Sequence, residues 1–121
     1  MRFFLWLGNR TPAAKDFMKD WNKTVCFELD ESRYFSVQVK DGKASYHEGK
    51  PEEYDVLLKA TSKVLNDVLA GKTGMEEAFS EHQFEVVGPI VDGVKFRHLS
   101  TIIEEAHSRM FSLLRGLLNI F

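Results

Sequence analysis

The chain has 121 residues and a net charge of −2, and 44% of its residues are hydrophobic. This length suits one domain that buries roughly two-thirds of its unfolded surface, which is enough for one core. The sequence contains no sustained basic block. It therefore argues against a general nucleic-acid-binding function, because such proteins need a positive patch that contacts phosphates.

The cysteine content and the N-terminal residues bear on the cellular compartment in which the protein is expected. Cys26 is the single cysteine, so no intramolecular disulfide can form and a cytoplasmic location is the simplest expectation. Residues 3–7 imitate the apolar part of a signal peptide, but the run is too short and no small-residue cleavage site follows it directly. No stretch approaches the roughly 20 apolar residues that span a bilayer, so we expect no transmembrane segment.

The first predicted elements are a helix and a set of strands. Thr11 can cap a helix that has Pro12 at its first position. The apolar stripe of this predicted helix consists of Ala14, Phe17, Met18 and Trp21. Apolar and polar residues then alternate over 24–29 and 35–40, which predicts two half-buried strands.

A tight turn and two further strands follow. Asp41-Gly42 is a strong two-residue hairpin signal, and it predicts a returning strand over 44–48. Gly49 and Pro51 disfavour regular structure and predict a loop. Residues 54–60 then predict a fourth strand.

The pattern then becomes helical. Ser62 is the predicted cap of a helix that carries Val64, Leu65, Val68 and Leu69 on one face and ends at Gly71. Thr73 and Glu76 have the spacing of a capping box, so a short second helix is expected with Met75, Ala78 and Phe79 facing inward. Residues 84–87 predict a fifth strand, which Gly88-Pro89 ends.

The last segment is the most regular one. Apolar residues recur at steps of three or four over 99–121, which predicts one long amphipathic helix that starts at a capping box of Thr101 and Glu104. The predicted stripe includes Ile102, Ile103, Ala106, Met110, Leu113, Leu114, Leu117 and Leu118.

Motifs for catalysis or metal binding are weak. Gly71-Lys72-Thr73 resembles the end of a phosphate-binding loop, but Asn66 stands where that motif needs glycine. Glu104 and His107 form one Glu-x-x-His, and a di-iron site needs a second copy, so we expect no metal. Cys26 in a strand is interpreted as a small buried hydrophobe. The sequence favours a binding function over an enzyme, with no cofactor.

The order of these elements carries a resemblance. Six features follow one another along the chain. They are the hairpin over 34–42, Pro51, the strand over 54–60, the helix that ends at Gly71, the pair Ala78-Phe79 and the strand that ends at Gly88. This ordered set resembles the sterol carrier protein 2 family of lipid-transfer domains over about residues 24–103. The chain departs from the family pattern at Glu81-His82 and Gly88-Pro89, and residues 104–121 extend the final helix.

The resemblance implies an α+β fold over a single domain, 1–121, in which a five-stranded sheet covered by helices encloses an apolar tunnel. It also implies non-catalytic carriage of a fatty acyl, sterol or isoprenoid ligand. The inward faces of the predicted elements place nine residues along such a tunnel, although some of them are core residues in the alternative interpretation. They are Phe35, Val37, Val39, Met75, Phe79, Phe84, Val86, Leu99 and Ile103.

A second hypothesis concerns the final helix. Its apolar stripe would be a large exposed patch in water, so it is expected to cover the tunnel or to form an interface. The alternative function is therefore a protein-interaction module that docks a partner, or forms a homodimer, through the C-terminal helix.

Overall fold

A computed structural model describes the backbone of residues 1–120 and the side chains of residues 1–110 and 113. Helices open and close the described chain, and all five strands lie between them. In chain order the elements are α1 (Arg2–Gly8), α2 (Pro12–Lys19), β1 (Lys23–Leu29), β2 (Arg33–Lys40), β3 (Lys43–Glu48), β4 (Val56–Ala60), α3 (Ser62–Leu69), α4 (Met75–Ser80), β5 (Glu85–Val87) and α5 (Ile90–Ile120).

The strands form one five-stranded mixed sheet in the order β3-β2-β1-β4-β5. The central strand β1 is antiparallel to β2 and parallel to β4. Val25 on β1 lies opposite Val37 on one side and Val56 on the other. Because side chains alternate between the faces of a sheet, this register collects the apolar residues of three strands on one face. The predicted α+β fold with a five-stranded sheet and a long final helix is confirmed.

The apolar face of the sheet packs against the helices. Helices α1, α2 and α5 contact the sheet, and α4 packs on α5. Phe27 of β1 stacks on Phe35 of β2, with ring centres 4.6 Å apart. It also meets Phe96 of α5 edge to face at 5.4 Å. The core of the domain therefore lies between the sheet and the helical layer.

The predicted starts of α5 and α3 differ from the observed ones. Helix α5 begins at Ile90, nine positions before the expected start at Leu99. Thr101 therefore lies inside the helix, and its hydroxyl donates to the carbonyl oxygen of Arg97 at 3.0 Å instead of capping. At α3, the side chain of Thr61, not that of Ser62, accepts the Val64 N–H at 3.2 Å.

The first turns of the chain also differ from the prediction. Residues 3–7, which resemble the apolar part of a signal peptide, lie in helix α1. Trp21 lies beyond the end of α2, yet it is buried, and its indole Nε1–H donates to Asp92 of α5 at 3.4 Å. A contact between residues 71 positions apart in the sequence is not visible in the local pattern.

The last part of α5 extends past the core. Among the described side chains of this helix, Ile103 is the last one in the core, and Leu113 is 71% exposed. The predicted stripe over Leu114, Leu117 and Leu118 lies outside the described side chains. Among the described residues, no helix combines the length and the apolar character needed to cross a membrane.

Glu104 stabilises the start of α4 rather than the start of its own helix. Its carboxylate oxygens accept the backbone N–H of Met75 at 3.1 and 3.2 Å. The predicted capping box of Thr73 and Glu76 is absent, since the residue that caps α4 is Gly74. Burial raises the pKa of Glu104, and the bond from Met75 partly opposes this rise.

The hairpin between β2 and β3 generates a stability prediction. Asp41 and Gly42 both have positive φ, at 53° and 77°, as a type I′ turn requires. We expect Gly42→Val to lower the free energy of unfolding by about 1 kcal/mol or more, because a β-branched residue is strained there. Gly42→Asn is the control, since Asn tolerates this conformation. Equal urea midpoints for the valine variant and the wild type would contradict the assignment.

Glu104 generates a prediction about pH. Its pKa in the folded state is above the unfolded value of 4.5, so its ionisation opposes folding. Its stabilising contribution is complete below pH 4.5 and is lost as the pH rises through the folded-state pKa. Glu104→Gln keeps an oxygen acceptor for Met75 but does not ionise. We therefore expect the variant to gain stability relative to the wild type between pH 4.5 and neutrality.

Urea unfolding of both proteins at the two pH values measures this difference. Glu104→Ala is the matched control, because it removes the acceptor and should be less stable by about 1 kcal/mol at both pH values. If the wild type instead gained stability relative to the glutamine variant as the pH rises, the expected direction of the Glu104 pKa shift would be wrong.

Candidate functional site

The nine residues assigned to the tunnel lie together between the sheet and the helices. Seven of them belong to the buried core, and the other two, Phe79 and Val86, are partly buried and pack against it. The seven are Phe35, Val37, Val39, Met75, Phe84, Leu99 and Ile103. The structure thus brings together residues from β2, α4, β5 and α5 that are up to 68 positions apart in the sequence (35 to 103).

These residues contact one another and their core neighbours closely. Phe79 and Phe84 stack with ring centres 5.0 Å apart, and Phe35 stacks on Phe27. Met75, Val37 and Leu99 have exposed fractions of 0%, 0% and 1%. A ligand at these positions must therefore separate packed side chains, because protein interiors hold few voids larger than a water molecule.

An apolar crevice lies beside this core, between α1, the end of α3 and α5. It has a volume of about 80 Å³ and is lined by Met1, Phe3, Phe4, Leu7, Leu69 and His107. Phe4, Leu7 and Leu69 also pack against the buried core. The ring of Phe3 meets the His107 ring edge to face, with centres 5.8 Å apart. The crevice is thus an apolar opening at the margin of the core.

Helix α1 is held close to α5 at this point. Gly8 is buried, and a Cβ atom built on it would lie 2.7 Å from the Cδ1 atom of Ile103. Only glycine therefore fits without a shift of Ile103, which is one of the nine predicted residues. Movement of α1 relative to α5 changes the packing of this core residue directly.

The crevice residues of α1 were not among the sequence-based site predictions. The available signal was the run Phe3-Phe4-Leu5-Trp6-Leu7, which is too short for a signal peptide but long enough for about 1.4 helical turns. A short apolar run of this kind is consistent with an element that packs against the core, as Leu5 does. The contact with Leu69 and His107 depends on the tertiary structure.

Groups capable of chemistry are placed elsewhere. Cys26 lies on the opposite face of β1, and burial raises the pKa of its thiol. A raised pKa leaves little thiolate, the nucleophilic form. Among the described residues, no three His, Cys, Asp or Glu side chains are grouped so that they could hold a metal ion.

Solved structures of low sequence identity share this fold. A crystal structure of a sterol carrier protein 2 is 14% identical with a TM-score of 0.64, over 86% of this chain and 92% of that one. A structure described as the UbiJ-SCP2 ubiquinone synthesis protein is 17% identical with a TM-score of 0.63, over 85% of this chain and 86% of that one.

A third structure is much larger than this chain. The sec-alkylsulfatase Pisa1 from Pseudomonas sp. is 17% identical with a TM-score of 0.57, over 73% of this chain. This chain spans only 14% of the sulfatase, so the likeness concerns one part of that enzyme.

No curated protein sequence is significantly similar to this chain.

The sequence itself matches a family model. The model of the SCP-2 sterol transfer family matches residues 5–100, which include part of α1, the whole sheet and the first third of α5. This match is longer than the resemblance recognised over residues 24–103, since it also takes in most of α1 and all of α2. Since it covers most of the chain and the fold agrees with it, the chain belongs to the SCP-2 sterol transfer family of lipid-binding proteins.

Proposed function

We propose that this chain binds a single lipid acyl chain, or an apolar chain of similar width, between the helical layer and the sheet. Lipid binding is the function of its family. The observation that carries the finer proposal is the crevice between α1, α3 and α5, because its apolar walls adjoin the buried core. The ligand enters at this crevice and extends toward the sheet.

The nine predicted residues form the inner part of the proposed site. Burial of about ten methylenes contributes roughly 8 kcal/mol, which offsets the contacts that the core loses when the helices move apart. Phe, Leu, Ile and Met side chains suit such a ligand since they provide apolar contact without fixed polar partners. The site therefore needs no polar motif to hold an alkyl chain.

The shape of the crevice favours a flexible chain over a rigid ring system. The opening is narrow, about 80 Å³, and its walls belong to three different helices. A flexible chain enters one segment at a time, whereas a sterol nucleus requires the full width at once. We therefore expect fatty acyl ligands to bind more tightly than sterols.

The proposal assigns the chain no catalytic step. His107 is the single polar side chain among the described residues that line the crevice. Cys26 lies on the other face of the sheet with a raised pKa. The activity of the large sulfatase is not transferred to this chain, because the likeness covers a small part of that enzyme. A cytoplasmic location stays a prediction that rests on the single cysteine.

A second candidate function rests on the end of α5. Leu113 is 71% exposed and lies ten residues beyond Ile103 (113 − 103), which is the last core residue among the described side chains of that helix. An exposed apolar residue there favours the prediction that this part of the helix covers the site or docks a partner or a second copy. Most of its stripe lies outside the described side chains, so both alternatives stay predictions.

Titration with a saturated fatty acid, followed by methyl NMR, tests the site. We expect the methyl signals of Val37, Leu99 and Ile103 to shift on binding, while those of Val91 and Val94 stay unchanged. The first three are buried in the core, and the last two are exposed on the outer side of α5. Binding that shifts only Val91 and Val94 would place the ligand on the surface and reject the site.

A pair of matched variants tests the route of entry. Leu69→Trp adds bulk inside the crevice, and we expect it to weaken fatty acid binding at least tenfold while the melting temperature changes little. Val91→Trp adds similar bulk at a position that is 62% exposed, and it should bind like the wild type. Equal affinities for the two variants would show that the crevice is not the entrance. Cholesterol is titrated in parallel to compare the two ligand classes.

A further inference from the structure

Ser100 of α5 is a polar residue that the core leaves without a hydrogen bond. Its exposed fraction is 0%, and among the described residues no group bonds its hydroxyl oxygen. The adjacent Thr101 shows the usual arrangement in a helix, since its hydroxyl donates to the carbonyl oxygen of Arg97 at 3.0 Å. Ser100 makes no equivalent bond. Because a buried hydroxyl without a partner costs free energy, a bonding group supplied by a ligand would stabilise this position.

Ser100 lies on the side of α5 that faces β5 and α4. Gly93, seven residues earlier, lies against Val86 of β5, since an added Cβ atom would be 3.0 Å from the valine side chain. Glu104, four residues later, accepts the N–H of Met75 at the start of α4. Residues four and seven apart share one side of a helix, so Ser100 lies between these two contacts. Val86 and Met75 both belong to the inner part of the proposed lipid site.

The side chains that α4 and β5 contribute to this region are apolar. Met75 and Ala78 are the buried residues of α4, and Phe79 and Val86 pack against the core. The carboxylate of Glu104, one helical turn from Ser100, is already bonded to the N–H of Met75. A polar atom of a ligand in this layer therefore finds its hydrogen-bonding partner in the hydroxyl of Ser100.

We propose that the Ser100 hydroxyl binds a neutral oxygen atom within the apolar chain of the ligand, so that the preferred ligand is a long acyl chain with a hydroxyl or keto group near its middle. This inference rests on the proposed function, since it needs a ligand between the helical layer and the sheet. Both groups suit serine, because its hydroxyl donates and accepts.

A carboxylate does not suit this position. The buried residues of the described core include no Lys or Arg, so a carboxylate there would lose its water without gaining a cation. The carboxyl group of Glu104 also lies one helical turn away, and two like charges at this separation disfavour each other. The ionised end of a fatty acid therefore stays in water at the crevice.

The position of Ser100 along α5 determines where the oxygen atom lies in the ligand. His107 lines the crevice and follows Ser100 by seven residues (107 − 100) on the same side of the helix. At 1.5 Å per residue, this separation is about 10 Å. A fatty acid with its carboxylate at the crevice therefore passes Ser100 near the middle of its chain. One well-placed polar group in an apolar site is sufficient to select among ligands of equal length.

Competition against a fluorescent fatty acid tests the proposal. It measures the affinities of stearic acid and of a stearic acid with a mid-chain hydroxyl, and the ratio of the two is compared between proteins. We expect this ratio to favour the hydroxylated acid at least fivefold more in the wild type than in Ser100→Ala. Stearic acid itself should bind both proteins alike. Equal ratios in the wild type and Ser100→Ala would overturn the proposal.

Two controls locate the contact. Thr101→Val removes a hydroxyl that already has a partner in its own helix, and it should keep the ratio of the wild type. Stearic acid hydroxylated beside its carboxylate should show no dependence on Ser100, because that hydroxyl stays at the crevice. A loss of the preference in Thr101→Val as large as in Ser100→Ala would contradict a specific contact with Ser100.

Thermal unfolding of the protein without ligand provides a second readout. Ser100→Ala removes an unpaired buried hydroxyl, so we expect its melting temperature to be equal to or above that of the wild type. A lower melting temperature would show that the hydroxyl has a partner within the fold, and it would overturn the proposal.

The same titrations separate this inference from the proposed function. Binding of both acids with no dependence on Ser100 would reject the inference and leave the proposed function intact. Binding of neither acid would reject the proposed function, and this inference with it.

Discussion

The contact between Phe27 on the central strand and Phe96 on α5 joins the two layers of the domain. Phe27 is fully buried, and its ring also stacks on Phe35 of the neighbouring strand. Because edge-to-face and offset-stacked aromatic pairs have preferred geometries, these three rings favour the observed pairing of β1 with β2 and the observed packing of α5 on the sheet. The remaining helices pack around this arrangement, and the lipid site is proposed in the same layer.

The same packing sets the physical problem that a lipid-binding function has to solve. A well-filled core stabilises the fold, yet the residues that suit an acyl chain are part of that core. In the proposed function, this conflict is resolved at the margin, where α1 contacts α5 through Gly8 and Ile103 and the apolar crevice begins. A short helix with few buried residues is easier to displace than a central strand, so opening is expected at α1.

Electrostatics divides the surface of the domain. The face of the sheet that points away from the helices has the polar contacts Tyr34–Glu28 at 2.7 Å and Lys59–Glu28 at 3.7 Å above the buried Cys26. The outer face of α1 instead combines two aromatic rings with arginine and lysine. The two surfaces therefore differ in both charge and aromatic content.

The sequence by itself determined the strands, the hairpin and the family. Alternation over β1 and β2 and the Asp41-Gly42 turn are local signals, because side-chain direction and turn conformation depend on neighbouring residues. The grouping of the nine apolar residues followed from the predicted inward faces of both strands and helices. The tertiary structure alone decided the role of Glu104, whose partner Met75 is 29 positions away in the sequence. It also decided the start of α5, the role of α1 and the location of the crevice, because these depend on contacts between distant elements rather than on periodicity.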